Sequence, residues 1–66
     1  MDRRFAKFTE VTLDYRNQPK SSKQLMINIS NVLAIRETKL GTQIITEDEN
    51  FDVEESFEEV RKILAI

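Results

Sequence analysis

Neither cysteine nor histidine occurs among the 66 residues of this chain. A domain of this size buries only about 60% of the surface that its unfolded chain exposes, and small domains usually add disulfides, a metal or self-association to their core. Because thiols and imidazoles are absent, disulfides are excluded, and zinc, iron–sulfur and thiol-redox sites are not expected. We therefore predict a single domain over residues 1–66, with association into a homo-oligomer as the remaining means of stabilisation.

Residues 5–15 alternate between apolar and polar side chains, which is the period of a strand with one solvated face. The parity predicted to face inward comprises Phe5, Thr9, Val11, Leu13 and Tyr15. Phe8 lies on the other parity, so we expect it to mark a bulge or to cover something on the outer face. The polar stretch from Arg16 to Ser22 is predicted to be a long hairpin loop, because Pro19 cannot donate to a β-ladder.

Four more strands are predicted from the following residues. They cover residues 23–29, a more buried apolar run over 32–37, residues 42–46, and a short edge strand over 51–53. A turn is expected at Ser30 and Asn31. Gly41 is the single glycine, and it readily adopts a positive φ, so a tight hairpin is predicted there.

The end of the chain has the pattern of a helix. Ser56 and Glu59 form a capping-box pair. The face expected to pack on the sheet carries Phe57, Val60, Ile63 and Leu64. The predicted fold is α+β, a small antiparallel sheet of four to five strands that could curl toward a barrel, with one C-terminal helix.

One spacing of acidic residues suggests a metal-binding loop. Asp48, Asn50, Asp52 and Glu59 match oxygen-ligand positions of an EF-hand loop, but Val53 occupies the position that needs glycine. We predict an acidic turn followed by a helix cap, and no metal or cofactor. The carboxylates of residues 54, 55, 58 and 59 are expected to be solvated, and the four serines lack an activating histidine, so we predict that the protein is not an enzyme.

Charge is distributed unevenly along the chain. Residues 1–39 carry eight Lys/Arg and four Asp/Glu, whereas residues 40–66 carry two and eight. Our leading hypothesis is an interaction module that binds itself or another protein, with a candidate interface at Phe5, Phe8 and Tyr15. The alternative is nucleic-acid binding, for which the candidate contacts are Arg3, Arg4, Lys7, Arg16, Lys20 and Lys23. The isoelectric point near 5.0 and the inward parity predicted for the aromatic residues argue against that alternative. A small-ligand site between subunits is a third hypothesis.

No targeting or membrane segment is expected. The longest uninterrupted apolar stretch runs from Val32 to Ile35, far short of the roughly 20 residues that cross a bilayer. No apolar region follows the first residues as it would in a cleavable signal, so a cytoplasmic protein without membrane contact is expected.

Three segments suggest a known family. They are Met26 to Ile29 with Asn31 to Thr38, the hairpin from Gly41 to Ile45, and above all Val53 to Val60. In these the region from Gln24 to Leu64 resembles the flagellar FlbD-like family of swarming-motility proteins, and similar small uncharacterised proteins of bacteria and phages. The resemblance implies a β-rich fold and a bacterial or phage origin. A weaker resemblance is to LytTR-type DNA-binding domains, although Glu54 and Glu55 stand where basic residues would be expected.

Overall fold

The structure is a computed structural model that describes residues 4–66, without the side chains of residues 19–22. Residues 4–66 form five strands, a single 3₁₀ turn and one helix. In chain order these are β1 (Phe5–Leu13), β2 (Pro19–Asn28), the 3₁₀ turn (Ile29–Asn31), β3 (Val32–Thr38), β4 (Gly41–Thr46), β5 (Asn50–Val53) and α1 (Phe57–Leu64). The predicted α+β class with one C-terminal helix is confirmed.

All five strands join one antiparallel sheet in the order β2-β1-β5-β4-β3. The sheet is open, with β2 and β3 at its edges, so the described strands do not close into a barrel. Two strand positions were predicted wrongly. β5 lies inside the sheet rather than at its edge, and β3, expected to be more buried, is an edge strand.

The core lies between one face of the sheet and α1. Its buried side chains include Phe8, Ile44 and Val53 from the sheet and Val60 and Leu64 from the helix. Ile63 was expected on the packed face of α1 but is 42% exposed. The reason is angular, because Val60 and Leu64 are one helical turn apart and define a narrower stripe than the four predicted positions.

The parity predicted for β1 was wrong except at Val11, which is buried as predicted. Ala6 and Phe8 are buried, whereas Phe5 and Leu13 are half exposed. The buried positions of β1 change from even to odd numbers where the β1–β2 register shifts, between Glu10 and Val11. The extra residue at this shift lies in β2, so the alternation of β1 alone does not reveal it.

The β1–β2 loop is shorter than predicted. It comprises residues 14–18, because β2 begins at Pro19 rather than after it. Proline is tolerated there as the first residue of an edge strand. The Asp14 carboxylate holds the loop together, since its Oδ1 accepts from the amides of Arg16 and Gln18 at 2.8 and 2.9 Å. Asn17 takes the left-handed conformation with φ 59°, which asparagine tolerates better than most residues.

Two sequence-predicted local structures are confirmed. The hairpin between β3 and β4 turns at residues 39 and 40, and Gly41 follows with φ 145°. The Thr38 hydroxyl accepts from the amides of Leu40 and Gly41, both at 3.2 Å. At α1 the capping box is present in both directions, with Ser56 and Glu59 each accepting from the other's amide at 3.1 Å.

Candidate interaction surfaces

The exposed large apolar side chains of the described chain fall into two groups on opposite edges of the sheet. Four lie on the β1–β2 hairpin and three lie beside β3 and α1. The first group is Phe5, Leu13, Tyr15 and Met26, and the second is Leu33, Ile63 and Ile66. Clustered exposed apolar side chains mark binding surfaces more reliably than single ones do. Each group is therefore a candidate interaction surface.

The first surface, which we name the edge groove, is an open cavity of about 190 Å³ beside β3. The 3₁₀ turn, the start of β3 and the end of α1 form its walls. Its lining is Ile29, Val32, Leu33, Ala34, Leu64 and Ile66. Every lining side chain is aliphatic, so the groove offers apolar contact and no charged group.

Local backbone features shape the edge groove. The Asn28 side chain accepts from the Ser30 amide at 3.0 Å and starts the 3₁₀ turn. The β3–β4 register shifts between Val32 and Ala34, so Leu33 is left out of the ladder and is 65% exposed. At the far wall, α1 ends with Ala65 in the left-handed conformation (φ 59°), and Arg61 Nη1 donates to the Ile66 carbonyl at 3.0 Å.

The β3 strand that borders the groove is less protected than the other edge. On the opposite edge, β2 begins with proline, carries Lys20 and Lys23 and contains the register shift. Proline, lysine and bulges are the usual devices that stop an edge strand from pairing with another chain. β3 also contains a register shift, at Leu33, and carries exposed Arg36 and Glu37. It has neither proline nor lysine within Val32–Thr38, however, and the described strands leave its outer side unpaired. This edge is therefore the more accessible one for added pairing.

The second surface is the β1–β2 hairpin itself, which we name the arm and which comprises residues 4–28. β1 pairs with β5 at the single position Glu10–Val53, so the arm is joined to the rest of the sheet mainly by the packing of Ala6, Phe8 and Ile27 in the core and by hydrogen bonds at Thr9. A nine-residue strand is about 30 Å long, and the molecule measures 43 by 19 by 18 Å along its principal axes.

The aromatic residues predicted as an interface are not brought together. Phe8 is only 1% exposed and belongs to the core, so it was wrong to expect it on a binding face. Phe5 is 50% exposed near one end of the arm, and Tyr15 is 88% exposed in the loop at the other end. The expectation that Phe5 and Tyr15 point inward was wrong as well, since β1 buries the opposite parity and Tyr15 lies beyond the strand.

The basic residues predicted for nucleic-acid contact do share the arm. Arg4, Lys7, Arg16 and Lys23 are exposed there. Residue 3 and the side chain of Lys20 lie outside the described part of the structure. The Arg16 guanidinium carbon lies 5.3 Å from the centroid of the Tyr15 ring, a cation–π distance.

Three glutamates form hydrogen bonds or an ion pair within the fold. The Glu55 carboxylate accepts from the Thr9 amide at 3.0 and 3.1 Å, Glu59 caps α1, and Glu58 pairs with Arg61 at 3.1 Å. Of the residues with EF-hand-like spacing, Asp48 lies in the β4–β5 turn and Asp52 in β5. Residues 4–66 contain no group of three or more Asp or Glu that could hold a metal ion. No helix among these residues is long and apolar enough to cross a membrane.

Sequence reasoning missed the edge groove. Leu33 stands in an apolar run that reads equally well as a buried strand, and its exposure depends on a bulge and on which strand lies at the edge. The one available signal was the apolar residue Ile66 directly after the helical stripe.

Comparison with known proteins found no matching family model, no matching curated protein and no matching solved structure. The resemblance to FlbD-like proteins thus stays a prediction from the sequence.

Proposed function

We propose that this protein is a non-enzymatic interaction module that acts by self-association, through the free edge of β3 and the edge groove. The observation that carries the proposal is the unpaired β3 edge beside an aliphatic groove flanked by exposed Leu33, Ile63 and Ile66. Added β-pairing supplies main-chain hydrogen bonds, while an adjacent apolar groove supplies buried area.

A second copy of the chain is the partner that suits this edge. Antiparallel pairing of β3 with β3 of another copy gives a two-fold dimer in which the same patch serves both subunits. Such a two-fold axis keeps both helices on the same side of the extended sheet. The exposed ends of α1, with Ile63 and Ile66, would then face each other across the joined edge.

The two β3 strands of such a dimer could pair in several registers, and we favour the register in which Ile35 lies opposite Ile35 of the partner subunit. In that register Arg36 lies opposite Ala34 of the partner subunit, so the two copies of Arg36 do not face each other across the strands. Like charges directly opposite destabilise a β-pair, so registers that align the two arginines are disfavoured.

The small size of the domain also supports a second copy of the chain as the partner. The chain exposes 5054 Å² of surface, and a standard interface covers about 800 Å² per partner, or about one sixth of that surface. The core contains eight buried apolar residues among those described, several of them small. Additional buried area would therefore add substantially to the stability of a domain with so small a core.

The non-enzymatic part of the proposal depends on the available side chains. Histidine and cysteine are absent, and a single glycine leaves no glycine-rich phosphate loop. The Glu55, Glu58 and Glu59 carboxylates all take part in hydrogen bonds or ion pairs of the fold. Activity screening that found turnover abolished by substitution of a surface carboxylate would contradict this part.

Sedimentation velocity tests the self-association. We expect the wild-type protein at about 50 µM to have twice the chain mass of 7.8 kDa, and the variant Leu33→Glu to be a monomer. Leu33 is 65% exposed, so a charge there leaves the monomer fold intact while it places two carboxylates at the joined edge.

Met26→Glu is the matched control. Met26 is 57% exposed and lies in β2, on the other edge, so this variant should keep the wild-type mass. A monomeric wild-type protein at about 50 µM would overturn the proposal. Equal loss of the dimer in both variants would show that β3 is not the interface.

A further inference from the structure

We infer that the arm is a binding surface for single-stranded nucleic acid, separate from the edge groove and independent of the self-association proposed above. The arm combines exposed aromatic rings with exposed cations along one elongated hairpin. Stacking platforms combined with a basic track are the recurring features of surfaces that bind unpaired strands.

Charge is segregated by the fold. Residues 4–28 carry five Lys/Arg against two Asp/Glu, a net charge of +3, while residues 29–66 carry four against nine, a net charge of −5. The sheet order puts β2 at one edge and β1 next to it, while the three consecutive acidic residues 47–49 lie in the β4–β5 turn, outside the arm and next to β1 only through β5. The net acidic chain therefore has one basic limb, and charge complementarity selects a polyanion as its ligand.

One acidic residue of the arm is engaged within the loop. The Asp14 carboxylate accepts two backbone amides there and is partly buried. Its charge is directed at the loop backbone, whereas the Arg16 side chain beside it is exposed. The loop thus presents a cation and a ring to solvent.

Tyr15 has the geometry of a stacking platform. The Arg16 guanidinium lies over the ring at 5.3 Å from its centroid, and Tyr15 is 88% exposed. The ring face away from the guanidinium can accept a nucleobase, while Arg16 remains close enough to meet the phosphate that follows. The ring is held at the tip of the hairpin by the Asp14-capped loop, so it projects from the body of the molecule.

A second ring marks the other end of the arm. Phe5 is half exposed, and the cross-strand pair Lys7–Met26 lies next to it along the hairpin. Residues on one face of an antiparallel pair are neighbours, so Phe5, Lys7 and Met26 form one patch of an apolar ring, a thioether and a cation. Phe5 and Leu13 are eight residues apart, about 26 Å at the rise of a strand, which is long enough for several unpaired nucleotides.

Unpaired strands fit this surface better than duplexes. Exposed rings bind bases by their flat faces, and those faces are inaccessible in a stacked duplex. The arm offers four described cations spread over its length rather than a concentrated basic patch, and the acidic body would repel a wide duplex that reached it.

Fluorescence anisotropy with a labelled thymidine 12-mer at about 50 mM salt tests the inference. We expect the wild-type protein to bind, and Tyr15→Ala to weaken binding at least fivefold through loss of base stacking. The double variant Lys7→Gln/Arg16→Gln should weaken binding too. It should also reduce the slope of log K against log salt by about 1.4, since each phosphate contact on a single strand contributes about 0.7.

The double variant Lys39→Gln/Arg36→Gln is the matched control, because it removes the same amount of charge at the opposite edge of the sheet. Its affinity should stay within about twofold of that of the wild type. Absence of binding by the wild-type protein at about 50 mM salt would overturn the inference. Tighter binding of a duplex of the same length would overturn the preference for unpaired strands.

The same variants test an alternative, in which the arm binds a second copy of this chain instead of nucleic acid. If Tyr15→Ala and the arm charge variant lower the sedimentation mass without changing oligonucleotide affinity, the arm binds the acidic body of another copy and the inference fails. Leu33→Glu should bind the oligonucleotide as the wild type does, so failure of the proposed β3 dimer would not affect this result.

Discussion

At the residue scale, both its backbone conformation and its close neighbours require residue 41 to be glycine. Its φ of 145° lies where other residues are rarely found. A Cβ on Gly41 would also meet the Val53 carbonyl oxygen and would lie 2.8 Å from the Glu54 carbonyl oxygen. The close approach lets β4 pass directly against the end of β5. The single glycine therefore serves both the β3–β4 turn and the packing of the neighbouring strand.

Substitution of Gly41 tests this constraint. We expect Gly41→Ala to lower the free energy of unfolding by about 2–4 kcal/mol, because it adds positive-φ strain to a clash with backbone atoms that cannot rotate away. Urea denaturation followed by circular dichroism measures the change. Lys39→Ala, in the same turn and exposed, should change stability by less than about 0.5 kcal/mol, and equal effects of the two variants would contradict the explanation.

Ala65 is a residue whose conformation favours glycine. It ends α1 with φ 59° and ψ 46°, and its amide donates to the Arg61 and Lys62 carbonyls. We expect Ala65→Gly to raise the free energy of unfolding by about 0.5–1 kcal/mol, since the left-handed conformation costs a Cβ-bearing residue about 1–2 kcal/mol and glycine adds denatured-state entropy.

The same denaturation experiment includes a control. Ala34→Gly replaces an alanine of negative φ in β3, so it should destabilise the protein. If Ala65→Gly destabilised the protein as much as Ala34→Gly does, the left-handed cap would not be a source of strain.

At the element scale, the joint between the arm and the rest of the sheet depends on a side chain. β1 and β5 share one paired position, and Glu54 N donates to Thr9 O at 2.9 Å. Beyond that point the Glu55 carboxylate, rather than a strand, accepts from the Thr9 amide. The buried Thr42 hydroxyl donates to the Glu55 carbonyl at 2.9 Å and fixes the same residue to β4. Glu55 thus connects three strands.

We predict that Glu55→Ala lowers the free energy of unfolding by about 1–2 kcal/mol, because the Thr9 amide loses a charged acceptor at a partly buried position. Glu55→Gln should cost less, since an amide oxygen can still accept. Hydrogen exchange gives a local readout, in which the Thr9 amide should exchange faster in Glu55→Ala. Glu54→Ala removes an exposed carboxylate next to it and should leave that amide protected, so an equal change in both variants would contradict the role of Glu55.

At the scale of the whole molecule, the two surfaces occupy opposite edges of one open sheet. The edge groove beside β3 is aliphatic, and the arm is basic and bears aromatic side chains. Because β2 and β3 are the two ends of the strand order, occupation of one surface leaves the other free. A β3 dimer would carry one arm at each of its two far ends.

At this scale we predict that the thermal stability of the protein depends on its concentration. If only the native chain associates, mass action should raise the unfolding midpoint of the wild type as protein concentration increases from about 5 to 500 µM. Leu33→Glu should show a midpoint that does not change with concentration, whereas Met26→Glu should behave as the wild type does. A wild-type midpoint that did not change with concentration would contradict association of the folded chain.

Local chemistry was sufficient for the sequence to determine part of this structure. The capping box of α1, the Gly41 hairpin and the alternation of β2 depend on residues within a few positions of one another, and all were predictable from propensity and pattern. The absence of histidine, cysteine and further glycines excluded several chemistries in the same way, because composition requires no knowledge of the fold.

Tertiary structure alone decided which strands are central and which face of β1 is buried. Phe5 and Phe8 are both aromatic residues in one strand, and the position of α1 on one face of the sheet determined that Phe8 enters the core. The exposure of Leu33 likewise follows from β3 being at the edge. These outcomes depend on pairings between residues distant along the chain, and the free energy of such a pairing is a property of both partners together rather than of either segment.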